Sequence, residues 1–184
     1  MVNDEKQSSG FTLIELLLTL AIGSILIVCI SFLLSFIIKS NSIIETNNEI
    51  LLNGEYALEY IKQEIRTADM IISSDKFRKL NEEFKSNFGF VIVKLDPNSY
   101  YKYGYSIYYF ENNRIIRVAT HSANFNFPDG KTFSGFNTVA DNIKSIEGTT
   151  VDFNNRLIKI SLALIGKNQQ KLNTSIGIRC PVIY

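Results

Sequence analysis

Ser8-Ser-Gly-Phe-Thr-Leu-Ile-Glu-Leu-Leu-Leu-Thr-Leu20 opens an apolar run that continues to Ile38. Leu16 to Ile38 is 23 residues without a charge, headed by a single acid, Glu15, and closed by Lys39. A helix of about 20 apolar residues crosses a bilayer, so this run is long enough to span a membrane. A carboxylate inside such a segment is costly in lipid and calls for a reason. It costs least at the helix start, where the helix carries partial positive charge. No proline interrupts the run, which predicts one continuous helix.

Residues 1–10, Met-Val-Asn-Asp-Glu-Lys-Gln-Ser-Ser-Gly, are polar and without periodicity. A secretory signal is cut after its apolar region, next to small residues. Lys39-Ser-Asn-Ser-Ile-Ile-Glu45 offers no such site, and the small residue able to mark a cut is Gly10, before the run. A cut there leaves the apolar segment on the mature chain as an anchor. Lys6 and the amino terminus favour a cytoplasmic leader and a single pass through the cytoplasmic membrane, with the C-terminal part outside.

Downstream of Lys39 the texture changes. Ile44, Leu51, Leu58, Ile61, Ile65, Ala68 and Ile72 recur at helical steps, predicting an amphipathic continuation over residues 39–72. Glu45, Glu49, Glu55, Glu59, Lys62, Glu64 and Arg66 fill its polar face, and Gly54 weakens its middle. Asp75–Asn87 reads as a short helix or ordered loop. Gly89–Leu95, Tyr101–Phe110 and Arg114–Thr120 then read as strands joined at Asp96-Pro-Asn-Ser99 and Glu111-Asn-Asn113. Residues 124–137 read as a loop, and 138–146 as a brief helix or a strand entry. Strands follow at 150–153, 156–165 and 171–180, the last two forming a hairpin across 166–170. Ile158, Ile160 and Leu162 alternate with polar neighbours, so one sheet face is apolar. The expected class is α+β: a long transmembrane-plus-amphipathic helix packed on an antiparallel sheet, with residues 73–184 as an extracytoplasmic head.

The chemistry-bearing residues are sparse. Net charge is +1, from 19 basic and 18 acidic residues, which suggests no nucleic-acid partner. His121 is the sole histidine, and Cys29 and Cys180 lie too far apart in kind and place to pair, so no metal site or disulfide framework is expected. Nucleophilic catalysis needs a base beside its nucleophile, and no such motif occurs. Glu82-Glu83 reads as a solvated face. No cofactor is implied, and the chain does not read as an enzyme.

Gly10-Phe11-Thr12-Leu13-Ile14-Glu15, running in register into the apolar span, resembles the processing motif of type IV prepilin-like proteins, the pilins and pseudopilins. The resemblance implies a prepilin peptidase that cuts between Gly10 and Phe11 and N-methylates Phe11. It implies that Glu15 meets the Phe11 amine of a neighbouring subunit during assembly, while Leu16 to Ile38 passes from lipid into the filament core. An alternative for Glu15 is that it reaches toward the lipid headgroups. The leader departs from the family habit, with Lys6 alone beside Asp4 and Glu5. Partners implied are other pilins or pseudopilins, an inner-membrane platform protein, and an assembly ATPase acting through that platform. The later layout is similar to the J-type minor pseudopilins and related minor pilins. The machine could be a pilus, a secretion system or a DNA-uptake apparatus. A second function stays open: a membrane-anchored binding or adhesion module whose tyrosine-rich hairpin is the working surface.

Overall fold

The structure, a computed structural model, describes residues 12–166 and 170–184. The chain divides into two compact units at Thr46/Asn47. In the first, the helix α1 (Leu13–Arg66) displays its apolar side chains without protein cover. Leu13, Phe32, Phe36 and Ile38 are 81%, 73%, 71% and 69% exposed. Thr19, Ser24, Ser31 and Ser35 turn their hydroxyls back to carbonyls three or four residues earlier. The polar groups of this stretch are thus satisfied within the helix, as an apolar solvent requires.

The second unit holds residues 47–66 of α1 and all the strands. In chain order these are β1 (Met70–Ser73), β2 (Asn87–Leu95), β3 (Tyr103–Glu111), β4 (Arg114–Ser122), β5 (Gly135–Ala140), β6 (Ile143–Ser145), β7 (Thr150–Asp152), β8 (Leu157–Leu164), β9 (Lys171–Gly177) and β10 (Val182–Ile183). A one-turn helix, α2 (Leu80–Glu83), precedes β2. The larger sheet runs β10-β1-β2-β3-β4-β5, antiparallel throughout except for the β1–β10 pair. In the smaller sheet β8 carries β9 on one edge and both β6 and β7 on the other. The expected α+β architecture is present.

Alternation within the strands builds two cores. Phe88, Phe90, Ile92 and Tyr108 face Leu58, Ile61 and Ile65 of α1, and the apolar face of β8 joins them through Ile158, Ile160 and Leu162. On the opposite face of the larger sheet, Val91, Val93, Tyr105, Ile107 and Tyr109 pack under Phe77, Leu80, Phe84 and Phe133. The β3–β4 hairpin turns through Asn112 and Asn113, both at positive φ, across the closing pair Glu111–Arg114. Asparagine tolerates the left-handed conformations that a two-residue hairpin turn demands.

Two differences from the periodicity reading have physical causes. The helix ends at Arg66 and not at Ile72. Ile71 and Ile72 are both fully buried, in opposite cores, which a strand permits and a single helix face does not. Residues 138–146 form the end of β5 and then β6, the strand option of the two. Gly54 is a packing residue: a Cβ there would sit 2.8 Å from Leu164 Cδ2 and from Leu172 Cδ1.

Candidate functional site

α1 begins on a reciprocal set of hydrogen bonds. The Thr12 N–H and Oγ1 each donate to Glu15 Oε2 at 2.9 Å, and the Glu15 N–H donates to Thr12 Oγ1 at 3.4 Å. Thr12-Leu13-Ile14-Glu15 is therefore a capping box, with threonine at the cap and glutamate three residues on. The first turn of any helix leaves N–H groups without intrahelical partners. The Glu15 carboxylate answers one of them and the threonine hydroxyl another. That gives Glu15 a role within its own chain which neither assembly nor headgroup contact had suggested, although the spacing was there to read. Gly10 and Phe11, the cleavage and methylation positions, lie outside the described residues. Leu16 to Ile38 lies wholly within α1.

Glu64 departs furthest from expectation. Placed on the polar face of α1 by its residue type, it is 7% exposed and points at the larger sheet. Arg117 Nε on β4 lies 3.0 Å from Glu64 Oε2. The Tyr108 hydroxyl donates to the same oxygen, and Ser106 Oγ approaches it at 3.5 Å. Lys94 Nζ on β2 is 3.6 Å from Oε1. Burial opposes ionisation of Glu64, but the Arg117 hydrogen bond, the Tyr108 hydroxyl and the two cations outweigh it. They hold its carboxyl below the ordinary range. Tyr108 is driven the other way, first by burial and then by the adjacent carboxylate. Arg117 is held charged by Glu64 despite its burial. Three strands are thus tied to one helix position by a satisfied polar cluster. The hint in the sequence was that Glu64 sits between Ile61 and Ile65, inside the apolar stripe.

The remaining candidates stay apart. His121 is exposed and lies beside Gly104. Cys29 and Cys180 are free thiols. Among the described residues no three His, Cys, Asp or Glu side chains gather as metal ligands. Glu82 and Glu83 are exposed, as a solvated face requires. The tyrosine-rich hairpin divides: Tyr105, Tyr108 and Tyr109 are core residues, while Tyr100 and Tyr101 are 80% and 52% exposed. Phe125 and Phe127 add two partly exposed rings, with Phe125 5.5 Å from Tyr103.

Residues 6–28 match the prokaryotic N-terminal methylation motif. The chain therefore carries the type IV prepilin signature, and its long apolar helix followed by a mainly antiparallel sheet is consistent with a pilin-like α+β fold. Comparison with curated proteins and with solved structures returned no match. Chains with this motif are generally structural, are processed by a prepilin peptidase and assemble with other pilins. An apolar N-terminal helix fits membrane anchorage of such a subunit.

Proposed function

We propose that this chain is a non-catalytic filament subunit, a minor pilin or pseudopilin. It is cut between Gly10 and Phe11, methylated on Phe11, and assembled from the cytoplasmic membrane through residues 11–38 with its C-terminal unit outside. The observation that carries this reading is the methylation motif of residues 6–28 running without a break into the uncharged span Leu16 to Ile38, whose side chains have no protein cover. In the assembled state Glu15 neutralises the Phe11 amine of a neighbour. Capping Thr12 does not exhaust Glu15, because a carboxylate offers about four acceptor positions over two oxygens. Opposite charges in low dielectric attract strongly, which sets the axial register of incoming subunits. The prepilin peptidase, an inner-membrane platform protein, an assembly ATPase working through it and fellow pilins are the partners.

Mass spectrometry of the N-terminus of protein purified from membranes tests this. The expected species starts at methylated Phe11; a chain starting at Met1, or anywhere else, overturns it. Genes neighbouring this one, and assays of piliation, secretion and transformation after deletion, assign the machine.

A second reading, a membrane-anchored binding module, draws support from the exposed rings of Tyr100 and Tyr101. A Tyr100→Ser, Tyr101→Ser chain that enters filaments normally but loses surface adhesion would favour it over a pure scaffold.

A further inference from the structure

The edges of the two sheets are not alike. β10 is two residues long and follows Pro181, β6 and β7 are three residues each, and β5 carries an irregularity against β4. Short strands, prolines and bulges are the ordinary ways of closing an edge to further pairing. β9 has none of these, and its one charge, Lys171, stands at its first position. Its seven residues pair with β8 in unbroken register from Lys171 to Gly177, and no strand among the described residues pairs with its other side.

The direction of its backbone groups follows from two flanking hydrogen bonds. The Leu164 N–H donates to the Gln170 carbonyl, and the Ile178 N–H to the Arg156 carbonyl. Hydrogen-bonded rungs alternate along an antiparallel pair, and residues 170 and 178 share a parity. Leu172, Thr174 and Ile176 therefore bond to β8. Lys171, Asn173, Ser175 and Gly177 turn their N–H and C=O groups to the open side.

A groove of about 330 Å³ lies there, lined by Glu55, Leu58 and Glu59 of α1 and by Leu172, Asn173 and Thr174 of β9. No residue of β8 lines it, which puts it on the open side of β9. Its floor is apolar, from Leu58 and Leu172, and its helical wall is acidic. Glu59 is answered by Lys62 at 2.6 Å, whereas Glu55 makes no ion pair among the described residues.

We propose that the open edge of β9 receives an extended strand from a partner protein, with apolar side chains over Leu58 and Leu172 and a lysine or arginine opposite Glu55. Strand addition supplies affinity through the main chain and specificity through alternate side chains. The charge pattern argues against a second copy as the occupant. Antiparallel self-pairing would present Leu172, Thr174 and Ile176 to the opposing helix, and none of these can answer Glu55.

Full-length protein in detergent micelles would be mixed with three nine-residue peptides. One alternates valine and threonine around a central lysine, one has glutamate in its place, and one carries prolines at alternate positions. The lysine peptide is expected to slow amide exchange at Asn173 and Ser175, leaving Leu172 and Thr174, already bonded to β8, unchanged. Ser175→Pro removes one outward N–H without touching the β8 ladder, and should weaken binding at least tenfold at an unaltered melting temperature. Glu55→Gln should abolish the preference for lysine over glutamate. Absence of slowing with any peptide overturns the proposal, as does equal binding of the lysine and glutamate peptides. Slowing that appears without peptide as protein concentration rises makes a second copy the occupant and overturns it too. Exchange at the Asn173 amide of the unaltered chain decides the matter even where Ser175→Pro fails to fold.

Discussion

Glu64 of α1 and Arg117 of β4, 53 residues apart in sequence, meet at 3.0 Å inside the interface between the helix and the larger sheet. The side chains are 10% and 22% exposed, so the pair is shielded, and Tyr108 completes the coordination of the shared oxygen. Breaking such a pair from one side leaves the other charge partly buried without an answer, at up to about 3–5 kcal/mol. Glu64→Ala is therefore expected to destabilise the second unit by about that amount, read from thermal unfolding followed through tyrosine ellipticity. Replacing the whole buried set, as in Glu64→Leu with Arg117→Met and Tyr108→Phe, should recover most of the loss, because well-packed apolar groups avoid the desolvation penalty and no buried hydroxyl is left without an acceptor. A triple variant as unstable as Glu64→Ala would show that the cluster is worth more than the charges it neutralises.

The same pair sets an acid limit on stability. Glu64 titrates below its ordinary value of 4.5 in the folded protein, so on acidification the unfolded chain takes up the proton first. The stabilisation is complete above about pH 4.5 and is lost as pH falls through the folded value. Unfolding midpoints measured from pH 7 downward should hold level and then drop below about pH 4.5, with a shallower drop in Glu64→Gln. An identical acid slope in both proteins would assign the transition to other carboxylates, such as Asp152, which its bonds from Asn155 also hold low.

How much of this was legible beforehand depends on whether the informative residues are neighbours in sequence. The spacing of Leu58, Ile61 and Ile65 announces the buried face of α1, and Asn112-Asn113 between two alternating runs announces a hairpin. Ile71 and Ile72 mislead because Ile65, Ala68 and Ile72 keep a helical step across a boundary that strand pairing with β2 and β10 decides. Glu64 misleads because glutamate is ordinarily exposed, and its justification, Arg117, is distant in sequence. The charge of Glu15 points to assembly, while the cap it forms with Thr12 is a matter of spacing alone.

Two glycines make close contacts of different kinds, and alanine should separate them. A Cβ on Gly54 meets only the ends of the Leu164 and Leu172 side chains, which can turn aside. On Gly130 it meets the Leu80 backbone, Cα at 2.7 Å and N at 2.8 Å, which cannot. Gly54→Ala gains up to about 1 kcal/mol of helix propensity against the repacking and should be close to neutral. Gly130→Ala should cost about 1–3 kcal/mol, as overpacking typically does. Denaturant unfolding of the two variants side by side checks the order, and a Gly54→Ala loss larger than that of Gly130→Ala would contradict it.

Capping and assembly place different demands on the start of α1. Thr12→Val removes the hydroxyl that both donates to Glu15 and accepts the Glu15 N–H, but it leaves the carboxylate in place. Glu15→Ala removes the carboxylate as well. If Glu15 served its own helix alone, both variants would be processed and would enter filaments with similar deficits. If its charge also answers the Phe11 amine of a neighbour, as proposed, Glu15→Ala should be cut normally yet largely fail to incorporate. Thr12→Val should incorporate nearly as the parent does. Glu15→Gln sharpens the comparison, because its amide oxygen can still cap Thr12 but carries no charge to set against an amine. Immunoblots of sheared filaments against membrane fractions measure all three. Normal incorporation of Glu15→Gln would remove the charge-matching step and leave the capping box as the reason for this glutamate.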